Sequence, residues 1–99
     1  MGPAILSTQL VPDPQKLQYK TFVNDELRQE TDTSDMIWSV KQIIAHLSRG
    51  TTLRRGTVIM TGTPSGVGIF QGKFLKDGDI VKVDLEGFGS ISNKIVFDK

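Results

Sequence analysis

Residues 39–49 are the one stretch of this chain whose apolar residues repeat with a helical period. Elsewhere, turn signals break the sequence before a helix has room to form. Val40, Ile43, Ile44 and Leu47 fall at i, i+3, i+4 and i+7, a single apolar stripe. Ser39 and Gln42 have the spacing of a capping box, in which two side chains satisfy orphan backbone donors at a helix start. Gly50 supplies a left-handed stop. The breaks elsewhere are "VPDPQ" at 11–15, Asn24-Asp25, "TDTSD" at 31–35, "KDGD" at 76–79 and "GFG" at 87–89. Short runs between them read as strands. Residues 4–8 are a first candidate. In "KLQYKTFVN", Leu17, Tyr19, Thr21 and Val23 alternate with Gln18, Lys20 and Phe22, and "ELRQE" returns as the second arm of a hairpin. Residues 57–61 form a continuous apolar run, the kind buried on both faces. Residues 80–86 alternate, and 90–97 make a last strand. The expected fold is α+β and β-dominated, with about six short strands, antiparallel or mixed, and one main helix.

Ninety-nine residues suit one small domain or a piece of a larger one, with a core of little surplus stability. A net charge of +1 gives no strong pull toward nucleic acid or an acidic membrane, and no nucleic-acid partner is expected. The absence of cysteine excludes disulfides and thiolate metal sites. No apolar run approaches the roughly 20 residues that span a bilayer, so no membrane partner is expected. "MGPAILSTQL" lacks the pattern of a signal peptide, and Pro3 after Gly2 makes a poor acylation site. "GPAILST" reads as the entry into a buried strand, so an N-terminal portion is expected before it.

The stretch with most chemical promise is "TGTPSGVG" at 61–68, directly after the apolar run. It is not a P-loop, because no Lys-Ser/Thr pair follows the glycines. It is not a dinucleotide fingerprint, because no helix is expected after it. It is not a nucleophile elbow, because "TPSGV" lacks the first glycine. What remains is a loop bringing backbone N–H groups and threonine hydroxyls to a strand end, suited to a carboxylate or a developing enolate. The alternative is a structural turn. His46, the single histidine, sits on the polar side of the helix with no orienting partner and reads as solvated. Asp84 and Glu86 share a strand face with Lys82, the pattern of a polar outer surface. Asp32 and Asp35 precede the helix and read as caps. Trp38 reads as a packed staple under the helix entry.

Taken together, "VNDELRQETDTSDMIWSVKQIIAHLSRGTTLRRGTVIMTGTPSGVG" and "FLKDGDIVKVDLEGFGSISNKI" strongly resemble the C-terminal part of the fumarylacetoacetate hydrolase family. The order of motifs matches: a "VNGE"-like hairpin, "TSDMI", a helix, "GDVILTGTPxGVG", "FLKPGD", an acidic strand and "GxGxxxN". Asp25 stands where the family has glycine, and Thr57 where it has the aspartate of "GDVI".

The resemblance implies part of a mixed β-sandwich or roll, spanning residues 1–99 as a single, truncated segment. It implies enzymes that hydrolyse C–C bonds of β-diketo acids, or decarboxylate or tautomerise oxaloacetate-type acids. They are typically homodimers, cytoplasmic or mitochondrial, and use Mg²⁺, Mn²⁺ or Ca²⁺ to stabilise an enolate. Thr63, with Thr61 and Gly62, is then the substrate-binding group that holds the carboxylate of a small keto or dicarboxylic acid. The family's metal carboxylates, active-site lysine and lid histidine all precede the "GP" at residues 2–3. None maps onto this sequence, so it offers no catalytic residue and no metal ligand, and no metal is expected for this chain alone. The acidic strand with Asp84 and Glu86 matches a later family strand, not the metal-binding pair. The chain is thus either one wall of a keto-acid enzyme or an inactive remnant acting as a folding or dimerisation module. A nucleotide-binding module has only the glycines in its favour.

Overall fold

The computed structural model describes residue 2 and residues 4–98; Pro3 of "GPAILST" lies outside them. Strands β1 (Gln18–Val23) and β2 (Glu26–Asp32) form a hairpin. A 3₁₀ turn (Thr33–Asp35), helix α1 (Val40–Leu47) and a one-turn helix α2 (Gly68–Gln71) follow. Strands β3 (Ile80–Leu85) and β4 (Gly89–Lys94) complete one antiparallel sheet of order β2-β1-β3-β4. The expected β-dominated α+β class is therefore what the chain adopts.

The β1–β2 turn is tight because Asn24 and Asp25 both take positive φ, 48° and 64°, the geometry that fits the right-handed twist of a hairpin. Asn24 locks it onto the next strand. Its backbone N–H donates to Ile80 O, and its side-chain oxygen accepts from Ile80 N at 2.9 Å. Register shifts between Thr21 and Phe22, which face Gln29 and Leu27, so Arg28 is a bulged residue without a cross-strand partner. Tyr19, Thr21 and Val23 lie opposite Leu85, Val83 and Val81, giving one apolar face. Thr21 and Val23 are its buried members. The other face is polar: Lys20 pairs with Glu30 at 2.9 Å, and Lys82 lies 6.0 Å from the Phe22 ring centroid.

Helix α1 starts as its sequence dictates. The Ser39 hydroxyl accepts from Gln42 N, and the Gln42 side chain accepts from Ser39 N, at 3.2 and 2.9 Å. Gly50 takes φ 69° just beyond the helix.

Four expectations fail. Residues 4–8 are not a strand; Ile5 is exposed, and the nearby backbone bond is a local turn, Leu10 N to Ser7 O. Residues 57–61 are not a strand either, and Val58 and Met60 stand in solvent. Both runs have strand-forming residues, but among the described residues neither has a neighbouring strand to pair with, and pairing defines a strand. A helix does follow the glycine loop: α2, closed by Gly72 at φ 65°. Trp38 is 63% exposed, not packed, because nothing among the described residues covers its outer side.

Candidate functional site

A cavity of about 440 Å³ opens between the "TGTPS" loop and the segment that leads from β2 into α1. Asp32, Asp35 and Trp38 line one wall; Thr61, Gly62 and Thr63 line the other. The three residues expected to hold a substrate are thus neighbours on one surface. His46 is exposed and lies outside this cavity, and Asp84 and Glu86 belong to β3 and the turn after it.

Two sets of hydrogen bonds hold the walls. On the first, Gln15 acts as a latch: its amide nitrogen donates to Thr33 O at 2.8 Å, and its oxygen accepts from Val40 N at 2.6 Å. Thr33 Oγ1 donates to Pro14 O at 2.7 Å and accepts from Leu17 N at 3.0 Å. The 14–17 and 33–40 segments are therefore stitched together ahead of α1. On the second wall, Gln29 Nε2 donates to Thr63 Oγ1 at 3.0 Å and to Pro64 O at 3.2 Å. Behind Gln29, Tyr19 OH donates to its Oε1 at 3.4 Å and accepts from Thr21 Oγ1 at 3.0 Å. This relay runs from the buried sheet face to the loop. It uses one acceptor site of the Thr63 hydroxyl and leaves that hydroxyl's proton to donate.

Glycine permits the close fit of loop to sheet. Gly66 has φ 94°, and a Cβ there would lie 2.1 Å from Arg28 O, the carbonyl of the bulge. Gly62 has φ 99° with open space around it, so its role is conformational. Beside the loop, Lys73 and Arg28 share the Glu26 carboxylate, which the Lys73 hydrogen bond holds below its ordinary range.

Asp32 caps the 3₁₀ turn by accepting from Ser34 N at 2.8 Å, and hydrogen bonding from Ser34 lowers its pKa. Asp35 accepts from Thr31 Oγ1 at 3.5 Å. Asp32 thus acts as the cap its spacing implies, while Asp35 lies inside the turn and ties it to Thr31. A divalent cation needs several oxygen ligands. Among the described residues no group of three or more Asp, Glu, His or Cys could hold one, and the carboxylate of Asp32 is already committed to its cap. The residues present do not fit a metal centre.

Reading the sequence alone singles out Thr61, Gly62 and Thr63, which line this cavity, and passes over Gln15 and Gln29, which brace its walls. Alternation in β1 puts Tyr19 and Thr21 on one face, a partial signal for the relay. Nothing local marks either glutamine.

The sequence model for the "Fumarylacetoacetate (FAA) hydrolase C-terminal" family matches residues 1–96. The oxaloacetate tautomerase YisK of Bacillus subtilis is 43% identical over 97 residues, covering 96% of this chain and 32% of the relative. The mitochondrial oxaloacetate tautomerase fahd2 of Xenopus laevis is 39% identical over 98 residues, 97% of this chain and 31% of the relative. A maleylpyruvate hydrolase of Sphingobium sp. SYK-6, solved with manganese(II) and pyruvate, superposes with a TM-score of 0.89 at 36% identity over 99% of this chain and 35% of that one. The chain spans about a third of the length of the curated relatives it matches. No helix among the described residues is long and apolar enough to cross a membrane. The match over nearly the whole sequence, together with the shared fold, shows that this chain belongs to the fumarylacetoacetate hydrolase family.

Proposed function

We propose that this chain supplies the carboxylate-holding wall of an enzyme acting on small keto acids, with Thr63 as the hydrogen-bond donor and Thr61 and Gly62 beside it. The observation that carries the reading is the Gln29–Thr63 hydrogen bond at 3.0 Å. It fixes the hydroxyl at the cavity edge and leaves its proton for an anionic ligand. The reaction class is C–C hydrolysis, decarboxylation or tautomerisation, in keeping with relatives named as oxaloacetate tautomerases and a maleylpyruvate hydrolase. A divalent metal, as in the manganese-bound maleylpyruvate hydrolase, polarises a bound keto acid. In this reading, polypeptide outside residues 1–99 holds it. The working unit is a homo-oligomer, in the cytoplasm or in mitochondria as for fahd2. Residues 1–99 then form one segment of the family's catalytic domain.

The test places this chain in the Bacillus subtilis tautomerase in place of the matched third. A hydrogen bond to a charged group contributes roughly 1.5–3 kcal/mol. Thr63→Val is therefore expected to lower kcat/KM by about tenfold to a hundredfold. Thr63→Ser recovers most of the loss, and Lys94→Ala, on the far strand, leaves turnover within about twofold. Full activity in Thr63→Val would overturn the reading.

A further inference from the structure

The apolar face shared by β1 and β3 carries two hydroxyls that packing alone does not call for. Tyr19 and Thr21 lie opposite Leu85 and Val83, and Thr21 is 8% exposed. A buried hydroxyl costs stability unless it is hydrogen-bonded, and these two are bonded in series. Thr21 Oγ1 donates to Tyr19 OH, and Tyr19 OH donates to Gln29 Oε1. Register brings the three together. Thr21 faces Gln29 directly across the hairpin, and Tyr19 is the diagonal neighbour, within reach for an aromatic side chain.

The direction of every bond in the series is set at its loop end. Pro64 O is a carbonyl and only accepts. The Gln29 nitrogen must therefore face the loop, where its two N–H groups go to Pro64 O and Thr63 Oγ1. A flipped amide would set two acceptors against each other. The Gln29 oxygen then faces the sheet and needs a donor. Tyr19 supplies it, because Thr21 already fills an acceptor site on the phenol oxygen. With the amide held this way, Thr63 receives a proton from Gln29 and cannot give one back. Its own proton is turned away from Gln29 and left for the cavity that Thr63 lines.

We propose that Gln29 and Tyr19 are positioning residues that hold the Thr63 hydroxyl as a donor, so that the site selects a ligand group that accepts. The proposal rests on the carboxylate reading of Thr63 and assigns that residue's specificity to the sheet behind it. A ligand carboxylate is held alike in the ground and transition states, so loss of the relay raises KM and leaves kcat nearly unchanged. A smaller folded fraction does the reverse: it lowers apparent kcat and leaves KM alone.

The kinetics of oxaloacetate turnover test it, with this chain in place of the matched third of the Bacillus subtilis tautomerase. Gln29→Met removes both bonds to the loop. Tyr19→Phe with Thr21→Val removes the donor to Gln29 and leaves neither hydroxyl unpaired, so the fold is retained. Each variant is expected to raise KM by about threefold to tenfold, with kcat within about twofold. In a Thr63→Val background each is expected to change KM by less than about twofold, because the relay acts only through that hydroxyl. If Thr63→Val raises KM and either relay variant does not, the proposal is overturned while the carboxylate reading stands. Equal rises in KM with and without the Thr63 hydroxyl also overturn it, since the relay then acts by another route. If Thr63→Val leaves kcat/KM unchanged, the carboxylate reading fails and the proposal fails with it.

Discussion

Asp25 holds a φ of 64° that glycine adopts without strain. Its neighbour Asn24, at φ 48°, repays its own conformation through bonds to Ile80 and through Nδ2 to Asp79 at 2.8 Å; among the described residues no such bond involves the Asp25 side chain. Asp25→Gly is therefore expected to raise stability by about 1 kcal/mol, read as a higher urea midpoint with an unchanged slope. Single residues differ in how far sequence reveals them. Thr63 stands out in the sequence because it is a hydroxyl set among glycines just after an apolar run. Gln29 is not, because its role depends on a loop 34 positions away. Gln15 is the same case: its bonds to Thr33 and Val40 span 18 and 25 positions.

The loop 61–68 and the bulge in β2 fit as one joint. A β-bulge adds a residue and bends the strand, and here it turns the Arg28 carbonyl toward Gly66. Gly66→Ala forces a Cβ into that carbonyl and also a side chain at φ 94°. It is expected to cost at least about 2 kcal/mol. Gly62→Ala, at φ 99° but with open space, is expected to cost less, about 1 kcal/mol. Thermal unfolding of the two variants checks the order. Among elements, α1 was legible to within two residues at either end, because its stripe, capping box and terminal glycine are local signals. The hairpin was legible for the same reason. Residues 4–8 and 57–61 were misread because β-pairing is decided by distant neighbours. The bulge could not be seen, since it exists only in the register between two strands.

Across the whole molecule, surface carboxylates set the pH range of stability. Asp79 is held below its ordinary value by hydrogen bonding from the Lys76 backbone and then from Asn24. Glu26 is lowered by Lys73, and Asp32 by Ser34. A carboxylate lowered on folding contributes stability that is present above its unfolded value and lost as pH falls through the folded one. Stability is therefore expected to fall on acidification below the ordinary values of 4.5 and 3.8. Lys20 is raised by its hydrogen bond to Glu30, so its contribution is present below 10.5 and fades as pH rises through the folded value. Urea midpoints across pH check this, with a shallower acid limb expected for Asp79→Asn; Glu26 is exposed and Lys20, Asp32 and Asp79 are half-buried, so salt partly flattens both limbs. The class of fold and the existence of a polar outer face were readable from alternation. The scale of the uncovered apolar surface was not, because hydrophobic fraction does not say what each residue meets. One consequence is spectroscopic. The chain has a single tryptophan and a single tyrosine; Trp38 stands in the cavity wall, and Tyr19 sits in the relay behind Thr63. The intrinsic ultraviolet emission of this protein therefore originates at its candidate site, and occupancy of the cavity is observable without any added label.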